Sequence, residues 1–341
     1  MSAVHQQVRR TIRRHGLIAP GARVLIGLSG GSDSVALTRL LLDLTEHGDF
    51  TVAGLAHLNH GLRASADRDE AFCREFAARL GLPIVIERAD VAANATAHGL
   101  STEDAARRLR YAFLERTAQA FEATCIGVGH TEDDQAETFL LKLMRGAGLT
   151  GLGGIYPRRD RVIRPLLDVS RAELRAYLES VGERWVEDET NDDLAIPRNR
   201  VRHRVLAELD RAAGGATRPA IARTASLIRE DGQWLDELGK ELFAAVASER
   251  ADGLELDLHG LTQAALPIRR RVLLEAMRRT ADGREIGQEH VEAVLELLGG
   301  ADAGVLTAWT ARGGVERGID VPGSRVEVRG GKLRLVPQGG R

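Results

Sequence analysis

The chain has 341 residues, a formal net charge of −2 and a hydrophobic fraction of 43%. This composition excludes an intrinsically disordered protein, and the length is sufficient for two domains of ordinary size. No apolar run approaches the roughly 18 residues that a membrane span needs, and the first residues are too polar for a secretory signal.

The cysteine content bears on the compartment. Cys73 and Cys125 lie far apart, and no C-x-x-C pair is present. This argues for a reducing compartment, with the cytoplasm as the predicted location, and against iron–sulfur or zinc-ribbon sites. Arginines cluster at 157–165, 198–204 and 268–271. Such clusters can bind backbone phosphates, although genomic base composition would also explain the heavy use of arginine.

In the first half, short apolar runs alternate with helical patterns, which is typical of βαβ units and a parallel sheet. Buried strands are predicted at 23–28, 51–57, 83–88 and 124–129. A glycine-rich stretch follows at 145–157, and helices are predicted near 170–180 and 198–210. The predicted fold class is therefore a doubly wound, Rossmann-like parallel α/β sheet.

A stretch with the composition of a linker, "AAGGATRPA" at 212–220, separates a predicted catalytic domain, 1–211, from a second domain, 220–341. Helical patterns in the second domain cover about 220–249, 262–280 and 288–298. A strand is predicted at 254–258, and a hairpin is predicted about Gly330–Gly331. The second domain is predicted to be a smaller, mostly helical α+β domain.

The first predicted strand runs into S-G-G-S-D-S, residues 29–34, at the start of a helix. Gly30 and Gly31 allow close backbone approach, and the free N–H groups of the helix start can bind an anion. The loop offers further hydroxyl donors from Ser29, Ser32 and Ser34. It therefore predicts a phosphate site, although it lacks the lysine of a Walker A loop.

Asp33 is the unusual residue of this loop. A carboxylate that faces phosphates is repelled by several kcal/mol unless a cation intervenes. Asp33 therefore either caps the helix or holds a metal ion such as Mg²⁺.

Two further positions are predicted to lie near the same crevice. His57 and His60 follow the second strand, where they either ligate a metal or line the nucleotide site, and the second reading is favoured. Arg107 and Arg110 lie one helical turn apart, where they either face phosphates together or are solvated.

The segment "GHTEDDQAE" (129–137) follows the fourth strand. Thr131 can cap the helix, and Asp134 and Glu137 lie ~60° apart around its axis. The helix dipole explains acids in the first turn but explains Glu137 less naturally. Because the strand end also brings His130 to the crevice of Asp33, these carboxylates are predicted to share a metal or to meet an incoming amine.

S-G-G-x-D-S after the first strand resembles the signature of the PP-loop ATP pyrophosphatases, which cleave ATP between the α and β phosphates. The chain is similar to the tRNA(Ile)-lysidine synthetase family over roughly residues 20 to 210. The resemblance is carried in order by S-G-G-S-D-S, H-L-N-H-G-L-R, S-T-E-D-A-A-R-R-L-R-Y, H-T-E-D-D-Q-A-E-T, R-G-A-G-L-T-G-L, I-R-P-L-L, E-D-E-T-N and P-R-N-R-V-R. The C-terminal region resembles the family's tRNA-binding domain only in layout.

The resemblance implies adenylation of O2 of the wobble cytidine in an isoleucine tRNA with anticodon CAU. The ε-amine of free lysine then attacks C2, AMP leaves, and lysidine is formed. ATP and Mg²⁺ are the implied cofactors, and the tRNA and lysine are the implied partners. No membrane partner is expected, and a homodimer stays open.

The resemblance also implies site residues. Asp33 and Asp134 would hold the metal, His130 and Glu137 would serve lysine or proton transfer, and Arg110 and Arg202 would stabilise developing negative charge. Together with Asp33, the catalytic set is thus Asp33, Arg110, His130, Glu137 and Arg202. The implied ATP-binding residues are Ser29, Gly30, Gly31, Ser32, Asp33, Ser34, His57 and Arg63.

Two other functions stay open. The related tRNA thiolases share the loop, but some use cysteines that this chain lacks. A non-enzymatic ATP-binding sensor would leave Asp134 and Glu137 without a role.

Overall fold

The computed structural model describes residues 2–46, 48–61, 66–187, 192–299 and 317–338. Their contacts divide the chain into two compact units, Met1–Arg229 and Glu230–Arg341. Within the described ranges, no helix has both the length and the apolar character needed to cross a membrane.

The first unit is built on a six-stranded sheet. Its strands are β1 (Ala22–Gly27), β2 (Phe50–Asn59), β3 (Ile84–Arg88), β4 (Cys125–Gly127), β5 (Arg158–Arg159) and β6 (Val162–Ile163). The strand order is β3-β2-β1-β4-β6-β5, and every neighbouring pair is parallel except β5 with β6. The predicted doubly wound α/β sheet is confirmed. The prediction missed β5 and β6, because strands of two residues show no readable periodicity.

One helix precedes β1, further helices follow the first four strands, and the last helix continues beyond the end of the unit. They are α1 (Ala3–Arg14), α2 (Ser32–Thr45), α3 (Ala66–Arg79), α4 (Val91–His98), α5 (Thr102–Ala120), α6 (Glu132–Leu143), α7 (Leu149–Leu152), α8 (Arg171–Ser180), α9 (Pro197–Arg200), a π-helical turn (Val201–Val205), α10 (Leu206–Ala213) and α11 (Thr217–Val246). Local sequence explains several starts, since Ser101, Thr131 and Ser170 each accept a hydrogen bond from a backbone N–H of the helix they precede.

The sheet is buried on both faces. Along β1, Val24 and Ile26 belong to one core cluster with the apolar side of α2, whereas Leu25 packs in a second cluster with Phe113 and Leu114 of α5. Burial on both faces explains why β1 and β4 appear in the sequence as continuous apolar runs rather than as alternating patterns.

The strand order places the two segments that carry the chemistry side by side. From β1 the sheet continues to β2 on one side and to β4 on the other, so the order reverses between β1 and β4. Open α/β sheets bind ligands outside the carboxyl ends of the strands at such a point. The S-G-G-S-D-S loop follows β1 there, and residues 128–131 follow β4.

The second unit contains a five-stranded antiparallel sheet with helices. Its helices after α11 are α12 (Leu258–Gln263), α13 (Leu266–Thr280) and α14 (Gln288–Leu297), and its strands are β7 (Ala247–Arg250), β8 (Gly253–Asp257), β9 (Arg317–Val321), β10 (Ser324–Arg329) and β11 (Lys332–Pro337). The predicted strand at 254–258 corresponds to β8, and the predicted hairpin is formed by β10 and β11. The edge strands β7 and β9 were missed, because mostly exposed edge strands lack a strong alternating pattern.

The predicted linker at 212–220 is shorter in the structure. Gly214 and Gly215 have positive φ and end α10, but α11 begins at Thr217 and the division between the units falls inside it. The first part of α11 packs within the first unit, where the guanidinium of Arg229 donates to the carbonyls of Gly153 and Ile155 at 3.2 Å each. Residues 1–211 therefore lack part of this compact unit.

Candidate active site

The loop after β1 is shaped to hold an anion. Gly30 has φ +87°, and Gly31 is the N-cap of α2 without any side chain to occupy the free N–H groups of the helix start. The hydroxyl of Ser34 accepts hydrogen bonds from the backbone N–H and the hydroxyl of Ser29, both at 3.1 Å, and so closes the loop on itself. Because Gly31 occupies the N-cap position, Asp33 is not the capping residue that one interpretation of the sequence made it.

The end of β4 lies against this loop. A Cβ atom at Gly129 would come within 3.0 Å of the backbone carbonyl carbon and oxygen of Asp33, and within 3.1 Å of the Ser34 nitrogen. Real Cβ atoms rarely approach so closely, so glycine at 129 is what allows the two segments to touch. This contact brings His130 and the start of α6 to the phosphate loop.

A cavity of about 720 Å³ opens at this junction. Its volume lies within the range of small-molecule sites. Its polar lining includes Ser29, Asp33, Ser34, His57, Arg110, His130 and Asp134. Most residues that the sequence assigned to one site thus line one cavity.

His57 lines the cavity and keeps a buried hydrogen-bond acceptor. Its side chain is buried, and Nδ1 lies 2.9 Å from the carbonyl oxygen of Leu28, so Nδ1 carries the proton. Burial lowers the pKa of His57, and its Nε2 has no hydrogen-bond partner among the residues that the structure describes. A buried acceptor at the wall of a cavity fits the amino group of a nucleobase.

Cys73 lies beside this histidine, with its sulfur 3.3 Å from Nδ1 of His57. Burial raises the pKa of the Cys73 thiol to about 12. Cys73 is therefore a neutral packing residue and not a thiolate.

Three carboxylates and three guanidiniums form a cluster at the start of α6. Arg171 donates to Asp33 at 3.0 Å and to Asp134 at 3.2 Å. Arg198 donates to Asp134 at 3.0 Å and to Glu137 at 2.6 Å, and Arg202 donates to Glu137 at 2.6 Å. The formal charges of the six groups cancel.

The two carboxylates that face the cavity differ in proton affinity. Burial raises the pKa of Asp33, and the partly opposing attraction of Arg171 does not cancel this effect. Burial acts in the same direction on Asp134, but Arg198 and Arg171 outweigh it and hold its pKa well below the usual range. Asp134 is therefore a permanent anion, and Asp33 is the more basic of the pair.

Glu137 is fully buried behind the cavity wall and is held by Arg198 and Arg202. Neither Glu137 nor Arg202 lines the cavity. The structure thus makes Glu137 the organising centre of two arginines, whereas the resemblance implied a group that serves lysine or the proton directly.

His130 is a neutral hydrogen-bond donor. Burial, with help from Arg164 and Arg110, lowers its pKa to about 3. Its Nδ1 lies 3.3 Å from Nε of Arg164, which always carries a hydrogen, so Nδ1 accepts and Nε2 carries the single proton. This tautomer suits donation to an oxygen and argues against His130 as the acceptor of a proton.

Arg164, Arg171 and Arg198 were not singled out from the sequence as site residues. Arg164 and Arg198 lie in the blocks I-R-P-L-L and P-R-N-R-V-R. These blocks supported the family resemblance, but the sequence did not indicate what the two arginines do. Arg171 is the first residue of α8 and is 138 positions from Asp33 in the chain. Arg63, the remaining predicted ATP-binding residue, lies outside the described residues.

The metal site was tested against this geometry. Asp33 and Asp134 supply the hard oxygen ligands that Mg²⁺ prefers, and one cation, the guanidinium of Arg171, already contacts both. Oδ2 of Asp134 accepts from the backbone N–H of Thr131 at 2.8 Å, so it is Oδ1 that faces the shared cation. Among the described residues, no three His, Cys, Asp or Glu side chains form a complete ligand set. Asp33 and Asp134 alone would leave most positions around a metal ion open. They therefore fit an ion whose other ligands are oxygens of a bound substrate.

Comparison with known proteins identifies the family of the chain. Residues 2–209 match the PP-loop domain family. The chain is similar to tRNA(Ile)-lysidine synthases from Geobacter sulfurreducens, with 39% identity over 87% of this chain and 64% of that protein, and from Leifsonia xyli, with 37% identity over 94% and 91%. A third, from Dehalococcoides mccartyi, is 36% identical over 86% of this chain and 64% of its own length. The chain thus spans just under two thirds of two of these relatives.

Among solved structures, the chain is similar to a U34-tRNA thiolase, NcsA from Methanococcus maripaludis, which carries a [4Fe-4S] cluster. The TM-score is 0.55 and the identity 17%, over 67% of this chain and 78% of that one. A likeness at this identity shows the shared fold alone.

Proposed function

The chain belongs to the PP-loop domain family and, within it, to the tRNA(Ile)-lysidine synthases, and we propose that it joins free lysine to C2 of the wobble cytidine of a CAU isoleucine tRNA. ATP activates the base, and AMP and pyrophosphate are released. The observation that carries the proposal is the meeting of the anion-binding loop with His130 and Asp134 across one cavity. Both ATP and tRNA are cytoplasmic substrates, so a cytoplasmic location is part of the proposal.

ATP binds with its phosphates on the loop of residues 29–34. The backbone N–H groups at the uncapped start of α2 donate to the phosphates, and the hydroxyl of Ser32 donates to Asp33. Nε2 of His57 accepts a hydrogen bond from the amino group of the adenine of ATP.

Asp33 and Asp134 would hold Mg²⁺, whose charge would counter that of the phosphates. Arg171 contacts the same carboxylates in the structure. Arg171 and the metal ion would therefore share these two carboxylates.

The reaction has two steps. O2 of the cytidine attacks the α-phosphorus, the bond to pyrophosphate breaks, and the base becomes an adenylated electrophile. The amine nitrogen of lysine then attacks C2, the C2–O2 bond breaks, and AMP leaves with that oxygen. The protons of the nitrogen pass to the phosphate of the departing AMP and to water.

The chain's own residues serve these steps by position and charge. Arg110 lines the cavity and stabilises negative charge on the phosphorus oxygens. His130 donates from Nε2 to the same region. Asp134, as a permanent anion, receives the lysine ammonium, whose solution pKa is near ~10.4. Glu137 and Arg202 act through the cluster, since neither reaches the cavity.

The thiolase alternative is not supported by the cysteines. Cys73 and Cys125 are both buried, and burial raises the pKa of each thiol. A sulfur-transfer function would need an accessible thiolate or a cluster ligand.

The test is mass spectrometry of nucleosides from a CAU isoleucine tRNA incubated with the full chain, ATP, Mg²⁺ and lysine. We expect a cytidine product heavier by lysine minus water, with AMP and pyrophosphate in equal amounts. A tRNA with uridine at the wobble position is the control, and it should give no modified nucleoside, no AMP and no pyrophosphate. A sulfur-containing product, or equal modification of wobble uridine, would replace this function with a thiolase. ATP binding without AMP release would indicate a sensor.

A further inference from the structure

The C-terminal end of α6 exposes apolar side chains. Leu143, Met144 and Leu149 are 51%, 61% and 41% exposed. Two cations, Lys142 and Arg145, lie between and beside them and are also exposed. We call these five residues the 142–149 surface. Apolar side chains grouped in this way on the outside of a protein mark an interaction site more often than scattered ones do.

The surface stands on a rigid base. The side chain of Gln135, almost fully buried, donates to the carbonyl of Gly153 at 3.2 Å and accepts from the N–H of Ile155 at 2.6 Å. A Cβ atom at Gly154 would lie 2.7 Å from the Gln135 side chain. Arg229, also buried, donates to the carbonyl of Gly153 as well and to the carbonyl of Ile155. The segment that follows the exposed residues is thus fixed to α6 and α11, and Leu143 and Leu149 themselves lie on the helices α6 and α7.

The charge of the region is one-sided. From residue 142 to residue 159 the chain contains no aspartate or glutamate. Lys142 and Arg145 have no ion-pair partner among the residues that the structure describes. A protein with net charge −2 thus presents here a patch that is both apolar and positive.

This surface is connected to the proposed active site through one helix. Asp134 lies in the first turn of α6, and Met144 follows its last residue. At 1.5 Å per residue the two positions are ~15 Å apart along the axis, a distance that a few nucleotides can span.

We propose that the 142–149 surface binds unpaired nucleotides of the RNA loop that carries the reacting base. The proposal rests on the proposed function and adds a binding site to it. Unpaired bases expose apolar faces, and leucine and methionine are among the side chains that proteins insert between bases. Lys142 and Arg145 pair with the phosphates that follow such bases. A protein partner would favour acidic groups on its side, whereas phosphates supply negative charge at every nucleotide.

The test measures RNA binding without ATP or lysine. The full chain, wild type or variant, is titrated into an RNA hairpin with a seven-nucleotide CAU loop and into a blunt RNA duplex of the same length. We expect Leu143→Ala/Met144→Ala to raise the Kd for the hairpin at least about fivefold, since both substitutions remove apolar side-chain area that the bases would bury. The Kd for the duplex should change less than twofold. Leu227→Ala, at a leucine of similar exposure outside the surface, is the matched control and should change neither.

A second variant tests the charges. The logarithm of the association constant for the hairpin falls linearly with the logarithm of the salt concentration. Lys142→Gln/Arg145→Gln should make this negative slope shallower by roughly 1.4, the value for two lost phosphate contacts on a single strand. Arg74→Gln, at an arginine paired with Glu70, is the control and should leave the slope unchanged.

The outcomes separate this inference from the proposed function. Unchanged hairpin binding in both variants, equal weakening toward the duplex, or absence of hairpin binding by the wild-type chain would overturn the inference. So would loss of a dimer in sedimentation by Leu143→Ala/Met144→Ala with RNA binding intact, which would make the surface an interface between copies. Hairpin binding that depends on the surface, without any lysine-containing nucleoside, would uphold the inference and refute the proposed reaction.

Discussion

Glu137 offers the sharpest test of the carboxylate–guanidinium cluster. It is fully buried, and its two oxygens accept from Arg198 and Arg202 at 2.6 Å each. In Glu137→Gln the shape is kept but the charge is lost, so two guanidiniums face each other beside a neutral amide. Breaking a buried ion pair from one side costs about 3–5 kcal/mol. Arg198 is 34% exposed, so water partly compensates its charge once the carboxylate is gone. We therefore expect Glu137→Gln to lower the free energy of unfolding by about 3 kcal/mol.

The assay is thermal and guanidinium unfolding of the full chain, followed in the absence of substrates. For a unit of this size, each kcal/mol lowers Tm by roughly 2–4 °C, so Glu137→Gln should lower it by roughly 6–12 °C. Glu75→Gln, at an exposed acid of α3, is the matched control and should change Tm by less than about 2 °C. Adding Arg202→Met to Glu137→Gln should cost less than Arg202→Met costs in the wild type, because one uncompensated charge is removed.

A different outcome would contradict the organising role of Glu137. If Glu137→Gln leaves Tm within 2 °C of the wild type while AMP formation stops, the carboxylate acts in the chemistry itself. The double-variant cycle would then show no coupling with Arg202.

Three further predictions follow from the cavity. Asp33→Asn should reduce AMP formation at least a hundredfold with the far-ultraviolet circular dichroism unchanged, because Gly31 and not Asp33 caps α2; near-normal turnover would remove Asp33 from the metal site. Gly129→Ala should weaken ATP binding tenfold or more in calorimetry, because its Cβ would meet the Asp33 backbone at 3.0 Å; unchanged affinity would show that β4 and the loop can separate freely. His130 has its pKa lowered to about 3, so below pH ~6.5 the unfolded chain binds a proton that the folded chain does not, and the free energy of unfolding falls as the pH falls through this window. Between pH 6.5 and 5 the wild type should lose roughly 1.5 kcal/mol more than His130→Asn, and equal losses in denaturant titrations would contradict a buried neutral imidazole.

The sequence was sufficient for the parts of the site that follow directly from strands. The loop of residues 29–34 and the segment 129–137 each come after a buried apolar run, and parallel strands bring their carboxyl ends to one edge. The helical angle also placed Asp134 and Glu137 on one side of α6, and Arg198 does contact both. These inferences needed only local periodicity and one rule of topology.

The partners of those groups could not be predicted in the same way. Arg171 reaches Asp33 across 138 positions of sequence, and nothing in a single chain says which of many arginines will do so. The same limit explains His130, since a histidine at a strand end can donate or accept. Its tautomer is decided by Arg164, which lies 34 positions away on a segment where the prediction placed no strand.

The missing lysine of the phosphate loop has a physical explanation in the distribution of charge. Asp33, Asp134 and Glu137 are matched by Arg171, Arg198 and Arg202, so this cluster contributes little net potential. Across the cavity the balance differs. Among the described residues, Arg110 and Arg164 have no carboxylate partner, and burial lowers the pKa of both, which marks cations held in a poorly solvated place.

The neutral His130 beside these two arginines cannot reduce their potential. Because a low-dielectric wall strengthens that potential, two guanidiniums fixed by α5 and by the segment before α8 can attract an anion as a loop lysine does. We therefore expect the positive charge for phosphates to come from Arg110 at the cavity and from Arg164 beside His130, which would leave the loop free to carry the carboxylate of Asp33.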